Sequence, residues 1–115
     1  ILFRAGSAKL GKQGRKTLKE VVEVLQASPD RVIRVYGHTD STTAPEGAYY
    51  KNNWGLSAFR AASIVSFLVE KGIEPTDIAA VGFGATRPIG DNETREGRDQ
   101  NRRIEIVLVP KIQGP

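Results

Sequence analysis

The sequence predicts an α+β domain in which an open sheet of about four strands carries two main helices on one face. Three observations lead there. The apolar pattern runs strand, helix, strand, helix, strand, strand, and helices interleaved with strands in a small domain pack on a shared sheet. The chain has 115 residues, which make a single domain over 1–115 with no room for two cores. The last strand sets Ile104 and Ile106 between polar neighbours, as in a sheet with one solvated face.

Each element has its own justification. Ile1-Leu2-Phe3 reads as the tail of a strand, and Ala5-Gly6-Ser7 as a turn. From about Lys12 to Ala27, Leu18, Val21, Val22 and Leu25 fall at the i, i+3, i+4, i+7 helix spacing. Ser28-Pro29-Asp30 stops that helix. Residues 31–36 are β-branched and aromatic and read as a strand. A long loop, 37–51, follows. Asn53 offers an N-cap to a second helix that runs to about Lys71 and closes on Gly72. Its apolar stripe is Ala61, Ile64, Val65 and Leu68. Ile78 to Val81 is a short strand. Residues 83–98 read as mostly loop with one helical turn after Asn92. Residues 103–109 form the last strand, stopped by Pro110.

Composition removes several function classes. With 39% apolar and 26% charged residues the chain is globular rather than disordered. The apolar run at 64–69 is far short of the roughly 20 residues that a membrane span needs. No basic start leads into a hydrophobic signal segment, and the opening Ile-Leu-Phe without Met reads as a domain cut from a longer protein. The Cys count is zero, which excludes disulfides, thiolate zinc sites and a cysteine nucleophile. A single His excludes a His-rich metal site, and no cofactor is expected. The formal charge is +4, and residues 1–19 hold Arg4, Lys9, Lys12, Arg15, Lys16 and Lys19 without an acid. A phosphate-binding face is one reading of that run; a solvated helix face is the favoured one.

The enzyme motifs fail. Gly55-Leu56-Ser57-Ala58-Phe59 lacks the second glycine of a nucleophile elbow and has no strand before it. Gly82-Phe83-Gly84 starts like a dinucleotide loop, but Arg87 stands where the third glycine belongs. His38 and Asp40 have no obvious third partner for a metal. Asn92-Glu93-Thr94 matches the glycosylation acceptor as easily by chance as by design.

One constellation carries chemistry. Gly37-His38-Thr39-Asp40 closes the second strand, and Arg60 follows twenty residues later in the second helix. At ~100° per residue, with Ala61 at zero, Arg60 lies at about −100°, Asn53 at about −80° and Leu56 at about −140°. Arg60 therefore stands with Asn53, Leu56 and Phe67 at the border of the buried stripe, its guanidinium aimed toward the strand end. Strand ends and helix starts meet at one edge of an open sheet, where ligands tend to sit. A carboxylate takes an ammonium, and a guanidinium takes a carboxylate in a two-pronged hydrogen bond. Asp40 and Arg60 together fit the amino-acid end of a zwitterion, with the helix start adding backbone N–H groups for the anion. From pattern alone, a plain ion pair between Asp40 and Arg60 stands at even odds beside that reading.

These residues resemble a known family. Gly37-His38-Thr39-Asp40, Asn53-x-x-Leu56-Ser57-x-x-Arg60-Ala61, Gly82-Phe83-Gly84 with Pro88-Ile89, and Asn101-Arg102-Arg103-Ile104-Glu105-Ile106 together look like the OmpA-like peptidoglycan-binding domain. The likeness covers nearly the whole chain, and four motifs in the correct order make it specific. It implies a β-α-β-α-β-β sandwich with a mixed sheet, and non-catalytic binding of the peptidoglycan stem peptide. Asp40 matches the family aspartate that takes the ammonium of diaminopimelate, and Arg60 the arginine that takes its carboxylate. Asn53, Thr39, Leu56 and Arg102 match positions that line or support that site. The implied location is the periplasm of a Gram-negative-type envelope, with the parent protein membrane-attached. The loop from Ser41 to Asn52 is longer than in porin and lipoprotein members, and Asn52-Asn53-Trp54-Gly55-Leu56-Ser57 looks more like the stator MotB branch, whose members act as homodimers.

The rival from another class is a basic nucleic-acid-binding module, though no nucleic-acid partner is expected. A wall hydrolase would need an activated nucleophile or a metal, and the sequence offers neither. Trp54 and Tyr49-Tyr50 read as a stacking surface or, more commonly, as a seal of the helix start against the sheet. Arg95, Arg98, Arg102 and Arg103 alternate with Glu93, Glu96 and Asp99, so a salt-bridged, solvated segment is the favoured account.

Overall fold

A computed structural model describes residues 12–42 and 52–111. The expected first strand at 1–3, Arg4, Lys9, Pro45 and Tyr49-Tyr50 lie outside the described residues. Within them the chain forms α1 (Lys12–Gln26), β1 (Arg31–Gly37), α2 (Asn53–Glu70), a 3-10 turn (Pro75–Asp77), β2 (Ile78–Gly82), α3 (Arg95–Asn101) and β3 (Ile104–Pro110).

The three described strands lie in the order β2-β1-β3. β1 runs parallel to β2, with Ile33 opposite Ile78, and antiparallel to β3, with Val35 opposite Ile106. The sheet is therefore mixed, as expected. The parallel pair needs a long crossover, and α2 supplies it. α1 buries Leu18, Val22 and Leu25, and α2 buries Ala61, Ile64, Phe67 and Leu68. Both stripes meet Ile33 and Val35 of β1 in one apolar core, with Ile104 and Ile106 packed against it. Removing a side chain such as Ile64 from water contributes roughly 1.5–3 kcal/mol, so these faces dominate the stability.

Two glycines set how closely α2 approaches the sheet. A Cβ at Gly37 would run into the carbonyl oxygen of Ser57 and stand 2.9 Å from its carbon. One at Gly82 would stand 2.6 Å from the backbone nitrogen of Ala58. The C-terminal ends of β1 and β2 therefore press directly on the first turns of α2.

Three expectations need correction. The N-cap of α2 is Asn52, not Asn53. Asn52 has an extended backbone, and its side chain accepts from the Gly55 amide at 2.9 Å. Asn53 is already helical, which frees its side chain for another task. Second, the segment after β2 holds seven residues of helix rather than one turn. Thr94 caps it by accepting from Gly97 N at 3.0 Å, but α3 has no apolar period to announce it. Third, Pro110 does not stand beyond β3; it is its last residue, opposite Arg31, and the Lys111 amide donates to Asp30.

Candidate functional site

The chain leaves β1 at Gly37 and passes through His38, Thr39 and Asp40, all of them buried. Backbone bonds fix this exit on both sides. His38 N donates to Arg103 O at 3.0 Å, and Thr39 N donates to Gly84 O at 2.9 Å. The hydroxyl of Thr39 donates to the carbonyl of Asp40 at 2.9 Å.

Asp40 is 4% exposed, and its carboxylate is held at both oxygens. Oδ1 accepts from the Thr42 amide at 2.7 Å, and Oδ2 lies 2.5 Å from Nη1 of Arg102. Burial alone pushes this carboxyl up. The Thr42 bonds and the Arg102 guanidinium outweigh it, and the group is held below its ordinary value. A buried carboxylate that stays ionised accepts hydrogen bonds and attracts a cation.

Asn53 ties the start of α2 to the same loop. Its Nδ2 donates to Thr42 O at 2.9 Å and to Asp40 O at 3.4 Å. One turn on, Leu56 is buried outside the main apolar cluster. One further turn on, Arg60 is 3% exposed. Hydrogen bonds thus join Thr39, Asp40, Asn53 and Arg102, while Leu56 and Arg60 are buried on the helix flank that begins at Asn53.

Arg102 caps the C-terminus of α3. Its second arm pairs with Asp99, one helical turn earlier. Sequence reading names Arg102 as a site residue and places Asp99 only among the acids of a salt-bridged segment, which this pair agrees with. Asn101 enters that reading only as part of the Asn101–Ile106 motif, without a role, and it is fully buried. Asn101 Oδ1 accepts from the amides of Ile89 (2.7 Å) and Gly90 (2.8 Å), and Nδ2 donates to Gly90 O (3.0 Å) and Asn92 Oδ1 (2.7 Å). All of its hydrogen-bonding capacity goes into holding the loop before α3. Asn92 in turn accepts from the Ser41 amide at 3.3 Å, which makes it a structural residue beside the Asp40 turn.

The discarded motifs have structural roles. Ser57 is fully buried; its hydroxyl donates to Trp54 O at 3.0 Å and accepts from Gly84 N at 2.9 Å. Gly84 adopts a positive φ of 62°, so Gly82-Phe83-Gly84 is a turn. The Trp54 ring lies beside Gly84 yet stays 56% exposed, so it seals the helix start only in part. His38 turns away from Asp40: its ring stacks on Phe83 at 5.3 Å, and Nε2 lies 2.5 Å from Glu105 Oε1. Among the four arginines of the late segment, Arg102 and Arg103 make acid pairs, while Arg98 donates to the carbonyl of Asn92.

Comparison with known proteins places this frame. The family model described as the OmpA family matches residues 2–102. The chain belongs to the OmpA family. Motility protein B of Bacillus subtilis is 33% identical over 112 residues, covering 96% of this chain and 42% of that protein. The peptidoglycan-binding protein ArfA of Mycobacterium tuberculosis is 40% identical over 108 residues, covering 94% of this chain and 32% of that protein. This chain thus spans less than half the length of either relative. The periplasmic domain of Helicobacter pylori MotB superposes with a TM-score of 0.88 at 25% identity, over 97% of this chain and 71% of that one. MotB-like proteins therefore stand among the relatives of this OmpA-like domain, as the Asn52–Ser57 segment suggests. No described helix is long and apolar enough to cross a membrane.

Proposed function

We propose that this domain tethers its parent protein to the cell wall by gripping the diaminopimelate residue of the peptidoglycan stem peptide, without catalysis. The observation that carries the reading is the burial of two opposite charges: Asp40 at 4% exposure in the strand-end loop that Asn53 ties to α2, and Arg60 at 3% on that same helix. In this reading the Asp40 carboxylate takes the side-chain ammonium, and the Arg60 guanidinium takes the neighbouring carboxylate. Thr39, Asn53 and Leu56 shape the approach, and the Thr42 bonds together with Arg102 favour the ionised form of Asp40. The family supports the wall as target, since one relative is a peptidoglycan-binding protein. A periplasmic relative of closely similar shape supports an envelope location for this chain.

Co-sedimentation with purified sacculi tests the reading. The parent domain pellets with them, whereas Arg60→Ala and Asp40→Asn stay in the supernatant with unchanged circular dichroism. If both folded variants pellet like the parent, the site is misassigned. Retention by nucleic acid in place of sacculi, lost steeply with salt, favours the basic-module alternative.

A further inference from the structure

We propose that Asp99 is a specificity-determining positioning residue, which leaves the Asp40–Arg102–Asp99 triad with a net negative charge and so makes the ammonium end of the site selective. The inference rests on the binding reading above and extends it to a residue outside the family motifs. Asp40 and Arg102 alone sum to zero. Their contact at 2.5 Å places a cation beside the carboxylate that the ligand's own cation must approach. An uncompensated guanidinium there repels the incoming ammonium and cancels much of the attraction of Asp40.

Asp99 changes that sum. Its Oδ1 pairs with Nη2 of the same guanidinium whose Nη1 faces Asp40. The triad of two carboxylates and one arginine carries a net charge of −1. Its buried member is Asp40, whereas the side chain of Asp99 is 47% exposed and that of Arg102 27%. Asp99 thus neutralises Arg102 from the solvent side, and Asp40 keeps a charge to offer. It also holds the second arm of the fork, which fixes how far Arg102 closes over Oδ2.

Its position is unfavourable for a residue serving only the helix. Asp99 lies in the last turn of α3, where the helix dipole disfavours an anion. A broken local rule beside a candidate site marks a residue placed for another purpose.

The test is calorimetric titration of the domain with two synthetic stem peptides, one with the free diaminopimelate amine and one with that amine acetylated. The parent prefers the free amine. Asp99→Asn loses about tenfold in affinity for the free-amine peptide, with little change toward the acetylated one. In an Arg102→Gln background the same Asp99→Asn change is nearly silent, because the charge that it screens is gone. Unchanged affinity and preference in Asp99→Asn overturn the inference alone. So does an equal loss in the Arg102→Gln background, which shows that Asp99 does not act through Arg102. If the parent binds neither peptide, the diaminopimelate reading falls first and the role of Asp99 falls with it.

Discussion

Gly37 and Ser57 touch backbone to backbone, and that contact seats the end of β1 on the first turns of α2. A Cβ on Gly37 has nowhere to go, because the obstacle is the main chain of a helix and not a flexible side chain. Gly37→Ala must move α2 away from the strand end, and overpacking of this kind costs about 1–3 kcal/mol or more. Urea unfolding reads it as a lower midpoint with an unchanged slope. The same displacement separates Asn53 from Asp40, so binding to sacculi falls in samples that remain folded. A midpoint equal to that of the parent contradicts the close approach.

Stability depends on pH through His38, the only histidine in the chain. Burial holds its pKa below the ordinary 6.5, and the charges of Arg103 and Arg87 act in the same direction, against the raising effect of Glu105. Among the described residues neither ring nitrogen has a partner in hydrogen-bond geometry, despite the short approach to Glu105. The unfolded chain therefore takes up a proton before the folded one does. The contribution of neutral His38 is present above pH 6.5 and is lost as the pH falls below it through the depressed folded value. Denaturant midpoints measured from pH 7.5 down to pH 5 fall in the parent. In His38→Gln that part of the slope disappears; a variant with the parent's full slope assigns the titration elsewhere.

Asn101 is the hub of the loop that carries α3. Replacing it with Ala strands the Ile89 and Gly90 amides, which both donate to its Oδ1 in a partly buried setting. Leaving a buried donor unpaired costs about 1–3 kcal/mol, so Asn101→Ala loses roughly that much or a little more. Hydrogen exchange localises the effect, with Ile89 and Gly90 losing protection ahead of the β1 amides. Uniform loss across the sheet contradicts a local role.

Most of this architecture is legible in the sequence because it rests on periodicity. Leu18, Val22 and Leu25 announce α1, and the β-branched run at 32–35 announces β1. Asp40 and Arg60 stand out in the sequence as charges at a strand end and on a helix flank, and both are buried there. What escapes depends on distance in the chain. Arg102 reaches Asp40 across 62 residues, and no local pattern sets which cation closes on that carboxylate. α3 escapes for a different reason. It is a polar helix held by a Thr94 cap and by the contact of Gly97 with residue 91, neither of which leaves an apolar period. The shift of the α2 cap from Asn53 to Asn52 turns on backbone angles that two adjacent asparagines do not distinguish.

The ionisation of Asp40 gives the last prediction. Its folded pKa lies below the ordinary 3.8 although burial works against it, because the Thr42 bonds and Arg102 favour the charged form. For a carboxyl shifted downward, the stabilising contribution is present above the unfolded value and is lost as the pH falls through the folded one. Sacculus binding through Asp40 should therefore persist to pH 4 and fail only in stronger acid. Arg102→Gln removes one opposing cause and leaves the burial, so the carboxyl titrates higher and the acid limb of the binding profile moves up in pH. Carbon-detected NMR of the Asp40 carboxyl measures the same shift without any ligand. An Arg102→Gln domain whose Asp40 titrates as in the parent shows that Thr42 alone holds the charge, and the guanidinium then has no part in preparing the site.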